Sequence, residues 1–196
     1  MKIWKRRGFI PVVIVMGVVV LAEPLLWRFA PKLFPSQINA AIDAAAGGQN
    51  TEWYQVVEGS IYDGDTLRVE RGSQELKIRF CGIDAPELKQ DGGIEARDHL
   101  RSLVAQGDGS IGLVLIEKDQ YKRTVADLFV IRSDGLEIHL NSQMVMDGMA
   151  YHYEQYSSSC PQPDVLVRAE EIAKEQSAGV WAKPGADKPW EYRKRS

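Results

Sequence analysis

The strict alternation of apolar and polar residues in Thr66-Leu67-Arg68-Val69-Glu70, repeated in Leu76-Lys77-Ile78-Arg79-Phe80-Cys81, constrains this chain most. Successive side chains of a strand point to opposite faces, so each run carries one apolar and one polar face. Arg79 and Cys81 fall on one face of their strand and Phe80 on the other. A strand so patterned is held only when its apolar face is covered, which requires several strands and one core. Asp63-Gly64-Asp65 and Arg71-Gly72-Ser73 are the turns that bound the first run. Trp53 to Val57, Ile111 to Ile116 and Val125 to Ile131 read as three further strands, and Ala85-Pro86 closes off the third strand because proline cannot donate to a ladder. Ala96, Leu100, Leu103 and Val104 share one helical face, and Gly107 and Gly109 end that helix. A second helix is expected with Asn141 as its N-cap and Gly148 past its end. A third begins near Pro163-Asp164, lines Leu166, Ala169 and Ala173 on one face, and stops at Gly179. The expected architecture is α+β, a five-stranded closed barrel with about three helices.

The N-terminus is of another kind. Four of the first seven residues are Lys2, Lys5, Arg6 and Arg7, and the fourteen residues from Phe9 to Ala22 carry no charge. A basic leader before a short apolar run is the pattern of a secretory signal. Extended through Trp27 the segment reaches about 20 residues, the length of one membrane span. Residues 1–27 therefore read as an apolar helix serving as signal peptide or single membrane anchor. Either role puts the rest of the chain outside the cytoplasm, secreted or anchored, because the basic end stays inside. Residues 28–50, with Pro31, Pro35 and Gly47-Gly48, read as a tether in which Ile38 to Ala46 can form a short helix. Residues 51–196 are the globular domain. From Asn50 onward, 18 Lys and Arg face 25 Asp and Glu, a net charge of −7. That excludes a binder of nucleic acid driven by bulk charge, so any such role rests on a local site.

Three segments concentrate chemistry. Asp63-Gly64-Asp65-Thr66 sets two carboxylates around a glycine, where a tight turn can aim them at one point. Arg79 to Glu87 delivers an arginine from a strand, then Asp84 and Glu87 around a proline turn. Asp119-Gln120-Tyr121-Lys122-Arg123 places a second arginine at the head of another strand. Singly, each is an ordinary charged turn. Together they supply aspartates for a hard cation, two arginines for a phosphate and a glutamate for a water, the set required for metal-assisted phosphodiester hydrolysis. His99, His139 and His152 form no ligand pair, and His99 is expected on a solvent-facing helix surface. No nucleophile triad and no phosphate-cradling glycine loop is visible.

The motifs IxDGDTLxV, IRFxGIDAPE, DxYxR and NxxMVxxGxAY, in this order between Val57 and Tyr153, resemble the staphylococcal nuclease-like (thermonuclease) family. The resemblance continues more loosely through AExxAxxxxxGVW to Pro189-Trp190-Glu191. It implies an OB-fold barrel that cleaves DNA and RNA with Ca²⁺ as cofactor. Carried over by position, Asp65 and Asp84 would ligate Ca²⁺ with the backbone carbonyl of Ala85, and Asp63 would stand close behind them. Arg79 and Arg123 would hold the scissile phosphate, and Glu87 would activate or orient the attacking water. Arg79 and Glu87 are expected at the barrel mouth rather than in the core. Tyr121 would lie near substrate. Tyr151, Tyr153 and Tyr156 form a cluster that either stacks bases, with Tyr153 contacting substrate, or packs against the barrel. Gln120 and Lys122 depart from residues common at those positions without removing a catalytic group. The alternative is a non-catalytic OB-fold module that binds nucleic acid or protein. The protein is expected to act as a monomer, with membrane contact only through an uncleaved N-terminus. Cys81 and Cys160 either form a disulfide, as export would favour, or stay unpaired.

Overall fold

The computed structural model describes residues 50–183 and 185–195. The apolar N-terminal segment and the tether with its short helix lie outside the described residues. Strands β2 (Thr66–Arg71) and β3 (Gln74–Phe80) form an antiparallel hairpin with Thr66 opposite Arg79 and Leu67 opposite Ile78. Strand β1 (Glu52–Val56) pairs with β2 along one edge and with β5 (Ser110–Lys118) along the other. Strand β5 continues into an antiparallel pairing with β6 (Thr124–Ile131), interrupted by an irregularity between Leu115 and Glu117. Strand β6 then pairs in parallel with β3, Arg79 lying opposite Val125. This last pairing closes five strands into a ring, which β7 (Glu137–His139) extends beyond β6. It also brings Arg123, two residues before Val125, to the same end of the ring as Arg79.

The alternating residues fill the ring. Leu67, Val69, Ile78, Phe80, Ile111, Leu113 and Leu128 are fully buried, while Arg68, Glu70 and Lys77 between them are exposed. A short second sheet pairs β4 (Ile83–Asp84) with β8 (Tyr151–His152). Helix α1 (Gly93–Ala105) buries Ala96, Leu100, Leu103 and Val104, the face that the spacing predicts. Helices α2 (Leu140–Met146) and α3 (Pro163–Glu175) pack on each other, and α2 packs on β6. That cover is why β6 is buried almost continuously rather than on alternate residues. A fourth helix, α4 (Pro189–Arg195), adds to the three that the sequence predicts.

Two boundary expectations are corrected. Asn141 is not an N-cap; it lies inside α2, fully buried. Its Oδ1 accepts the Leu128 N–H at 3.0 Å, and its Nδ2 donates to the Cys81 carbonyl at 3.0 Å and to Asp127 Oδ1 at 3.3 Å. A side chain with both donor and acceptor suits a place where a helix covers an N–H of β6 and the carbonyl of the residue just past β3. Helix α3 ends at Glu175, before Gly179. Gly179 instead meets Gly148 backbone to backbone, the Val180 N–H donating to the Gly148 carbonyl at 2.9 Å. Both glycines have positive φ, and a Cβ on either would collide with the other segment's backbone. Cys81 and Cys160 are joined by a disulfide with Cα atoms 5.8 Å apart, tying the end of β3 to the loop before α3.

Candidate active site

The turn before β2 is built to present Asp65. Asp63 Oδ1 accepts the backbone N–H of Asp65 at 3.2 Å and of Thr66 at 2.7 Å, closing an Asx turn. Gly64 separates the two aspartates because the turn is pressed against the chain beyond it: a Cβ there would stand 2.7 Å from Ala85 Cβ and 2.8 Å from Ala96 Cβ. The turn thereby delivers the Asp65 carboxylate to the segment after β4. Asp65 Oδ2 accepts the Ala85 N–H at 2.7 Å, which sets the Ala85 backbone beside it.

Arg79 lies between the two aspartates. Its Nη1 is 3.1 Å from Asp65 Oδ2, and its Nη2 donates to Asp84 Oδ1 at 2.9 Å. The Arg79 side chain is only 14% exposed and that of Asp84 only 1%. Arg79 therefore sits deeper than an open barrel mouth implies, because the two buried carboxylates draw its guanidinium inward. Glu87 remains at the surface, its side chain 37% exposed.

A further arginine enters this cluster. Arg193 of α4 donates from Nη2 to Asp84 Oδ2 at 2.7 Å, and from Nη1 to Asp84 Oδ1 at 3.1 Å and Glu87 Oε1 at 2.7 Å. Sequence reasoning missed it. A basic residue 109 positions from Asp84 carries no local signal, and the PWE signature marks only its neighbourhood.

Asp63, Asp65, Thr66, Arg79, Asp84, Ala85, Glu87, Tyr121, Arg123, Tyr153 and Arg193 all line one cleft of about 920 Å³. Arg123 is held by Asp119, whose Oδ2 accepts its Nε–H at 2.7 Å and whose Oδ1 accepts the Arg123 and Tyr121 backbone N–H groups, each at 2.9 Å. Burial opposes the Asp119 charge, but these hydrogen bonds outweigh it and hold its carboxyl below the ordinary range. The Arg123 guanidinium lies 5.5 Å from the centre of the exposed Tyr121 ring.

The tyrosines divide. Tyr151 is buried, edge-on to Trp181 and Trp190, and so packs in the core. Tyr153 stacks flat on Trp190 with ring centres 4.7 Å apart, while Tyr156 meets it edge-on. The histidines take structural places. His99 is not a free surface residue: its Nε2 is 2.7 Å from Asp147 Oδ2, linking α1 to the end of α2. His139 is buried beside Asp127, and His152 Nε2 is 2.9 Å from the Ser157 hydroxyl.

The donor set fits a hard cation. Burial first, and the Asp65 charge second, push the Asp63 carboxyl up to about 6; burial likewise raises Asp84 against the opposing Arg193 hydrogen bond. A cation held between them would offset the cost that burial puts on their charged forms. Oxygen donors from Asp65, Asp84 and the Ala85 backbone are the type that Ca²⁺ accepts. Cys81, Asp127 and Cys160 also cluster, but the two sulfurs are bonded to each other, so that group is no metal centre.

A family model of staphylococcal nuclease homologues matches residues 77–183. An uncharacterized endonuclease of Escherichia coli is 33% identical over 135 residues, covering 69% of this chain and 82% of the relative. A micrococcal nuclease of Shigella flexneri is 33% identical over 140 residues, covering 69% and 78% of the two chains. A probable staphylococcal-like nuclease of Oryza sativa subsp. japonica is 33% identical over 152 residues, covering 78% of this chain and 36% of that longer protein.

Proposed function

The chain belongs to the staphylococcal nuclease homologue family, and on that premise we propose that it is a Ca²⁺-dependent nuclease that hydrolyses phosphodiester bonds of DNA, RNA or both outside the cytoplasm. One observation carries this reading. Asp65, Arg79, Asp84, Glu87 and Arg123, drawn from three separate segments, open on a single cleft. The five-strand ring supports an OB-type barrel as the scaffold.

Asp65, Asp84 and the Ala85 carbonyl would hold Ca²⁺, with Asp63 fixing the turn behind Asp65. Bound there, the ion supplies Lewis-acid charge to a phosphate oxygen and lowers the cost of ionising a nearby water. Arg79 and Arg123 donate to the remaining phosphate oxygens, and their charge matters most as the phosphorus gains its fifth oxygen and negative charge accumulates. Asp119 keeps Arg123 pre-oriented, so little reorganisation is needed at that moment. Glu87, exposed at the cleft edge, takes the proton of the attacking water or fixes its direction. Tyr121 and Tyr153 offer ring faces and hydroxyls to the flanking nucleotides. The basic-apolar N-terminus and the disulfide both support an extracytoplasmic site of action, by export or anchoring.

The test is degradation of DNA and of RNA by the full chain in Ca²⁺, in Mg²⁺ alone and in EGTA, with Asp84→Asn alongside. Cleavage that needs Ca²⁺ and disappears in Asp84→Asn is the expected result. Full activity in Mg²⁺ alone refutes the calcium assignment, since Mg²⁺ demands tighter octahedral geometry. Binding of nucleic acid without cleavage under every condition refutes the enzyme reading in favour of a non-catalytic module.

A further inference from the structure

Asp84 has no idle oxygen. Its Oδ1 accepts from both Arg79 and Arg193, and its Oδ2 accepts from Arg193. These three bonds take three of the carboxylate's roughly four acceptor sites, so an ion that ligates Asp84 has at most the remaining Oδ2 site unless a guanidinium yields, and it sits beside that positive charge. The two arginines are not equally able to yield. Arg79 is pinned between two carboxylates with its side chain 14% exposed. The Arg193 side chain is 43% exposed and belongs to a seven-residue helix near the end of the chain. Water replaces the hydrogen bonds of an exposed arginine at small cost, so Arg193 is the partner that gives way.

The helix holding it is docked by separable contacts. Trp190 lies flat on Tyr153, Pro189 is buried, and Gln90 Nε2 donates to the Asp187 carbonyl at 2.6 Å just ahead of the helix. The same guanidinium bonds Glu87 Oε1. While it is seated, that oxygen is shared with the guanidinium and its charge is partly neutralised.

We propose that Arg193 is the resident counter-ion of Asp84 and Glu87, displaced when Ca²⁺ binds, so that the C-terminal helix sets the calcium concentration at which the site becomes competent. Arg193 is a positioning residue in this scheme. It holds two acidic groups in place before the ion arrives and leaves both free afterwards. The inference rests on the calcium reading given above and goes beyond it in assigning a competitor and its location.

Calorimetric titration of Ca²⁺ into the full chain, kept in mild detergent because of its apolar N-terminus, reads the affinity without reference to activity. Removing a like charge beside the ion should tighten binding in Arg193→Ala on the order of ten-fold. Arg193→Lys should shift it less, because one ammonium cannot fork across two carboxylates yet keeps the charge. Trp190→Ala, which undocks the helix without touching a carboxylate, should shift affinity in the direction of Arg193→Ala. Asp84→Asn should abolish binding. Unchanged or weaker binding in Arg193→Ala, with Asp84→Asn inactive in binding, overturns this inference and leaves the calcium reading standing. Wild-type affinity in Asp84→Asn overturns the calcium reading and this inference with it.

Discussion

Removing the link between Cys81 and Cys160 should lower the melting temperature by about 10–15 °C while leaving the fold intact. The two residues are 79 positions apart. A cross-link closing a loop of that length removes roughly 15 cal/mol/K from the unfolded chain, about 4.5 kcal/mol at 25 °C. A domain of this size unfolds with an entropy of about 0.3 kcal/mol/K, so the full effect corresponds to about 15 °C. Residual order in the unfolded chain reduces that figure. Both sulfurs are buried, so their loss adds a packing cost in the opposite sense. The variant to use is Cys81→Ala with Cys160→Ala, which leaves no lone thiol, compared with oxidised wild type by calorimetry in EGTA and again in Ca²⁺. Asp84 lies three residues beyond Cys81, so the variant should also bind Ca²⁺ more weakly. A fall in melting temperature under about 4 °C, with far-ultraviolet circular dichroism unchanged, would refute the reasoning. The unfolded chain would then already be so compact that closing the loop costs it little.

Three further outcomes are expected. Arg79→Ala leaves Asp65 and Asp84 facing each other without the cation between them. It should lose about 3 kcal/mol of stability in EGTA, part of it restored by Ca²⁺, together with at least about 100-fold in turnover; thermal melts and a DNA-degradation assay check this. Burial and the Asp65 charge push the Asp63 carboxyl up to about 6 in the folded protein in EGTA, against about 3.9 when unfolded, so the folded state binds the extra proton between those values. Its contribution therefore destabilises above pH 6 and fades as pH falls toward 4. Asp63→Asn keeps the turn's acceptor and should melt higher than wild type at pH 7.5, with the gap closing by pH 4.5; a gap independent of pH would contradict the assignment. Asn141→Ala strips partners from the Leu128 N–H and the Cys81 carbonyl in a dry interior, and should cost about 3 kcal/mol in a urea titration.

The strands and the main site were legible because their signals are local. The two-residue period in Thr66–Glu70 and in Leu76–Cys81 states which side chains face a core, whatever that core contains. Likewise, Asp63-Gly64-Asp65 and Asp119 to Arg123 are turns whose side chains fold back on their own backbone, so the residues that shape them are neighbours in sequence. Other features were settled by contacts between distant segments. Asn141 has the side chain of a cap, yet its partners lie on β6 and just past β3, up to 60 residues away, and no rule of helix ends reaches that far. Gly179 resembles a helix stop, but it is there because Gly148 leaves it no room for a side chain. The disulfide was an open alternative until the end of β3 and the loop before α3 were brought to 5.8 Å. Arg193 shows the division most clearly. The chain's order specifies a basic residue near its end. Only the docking of α4 through Trp190 and Tyr153 delivers that charge to Asp84 and Glu87, because electrostatic attraction acts through space and depends on separation in three dimensions rather than along the chain.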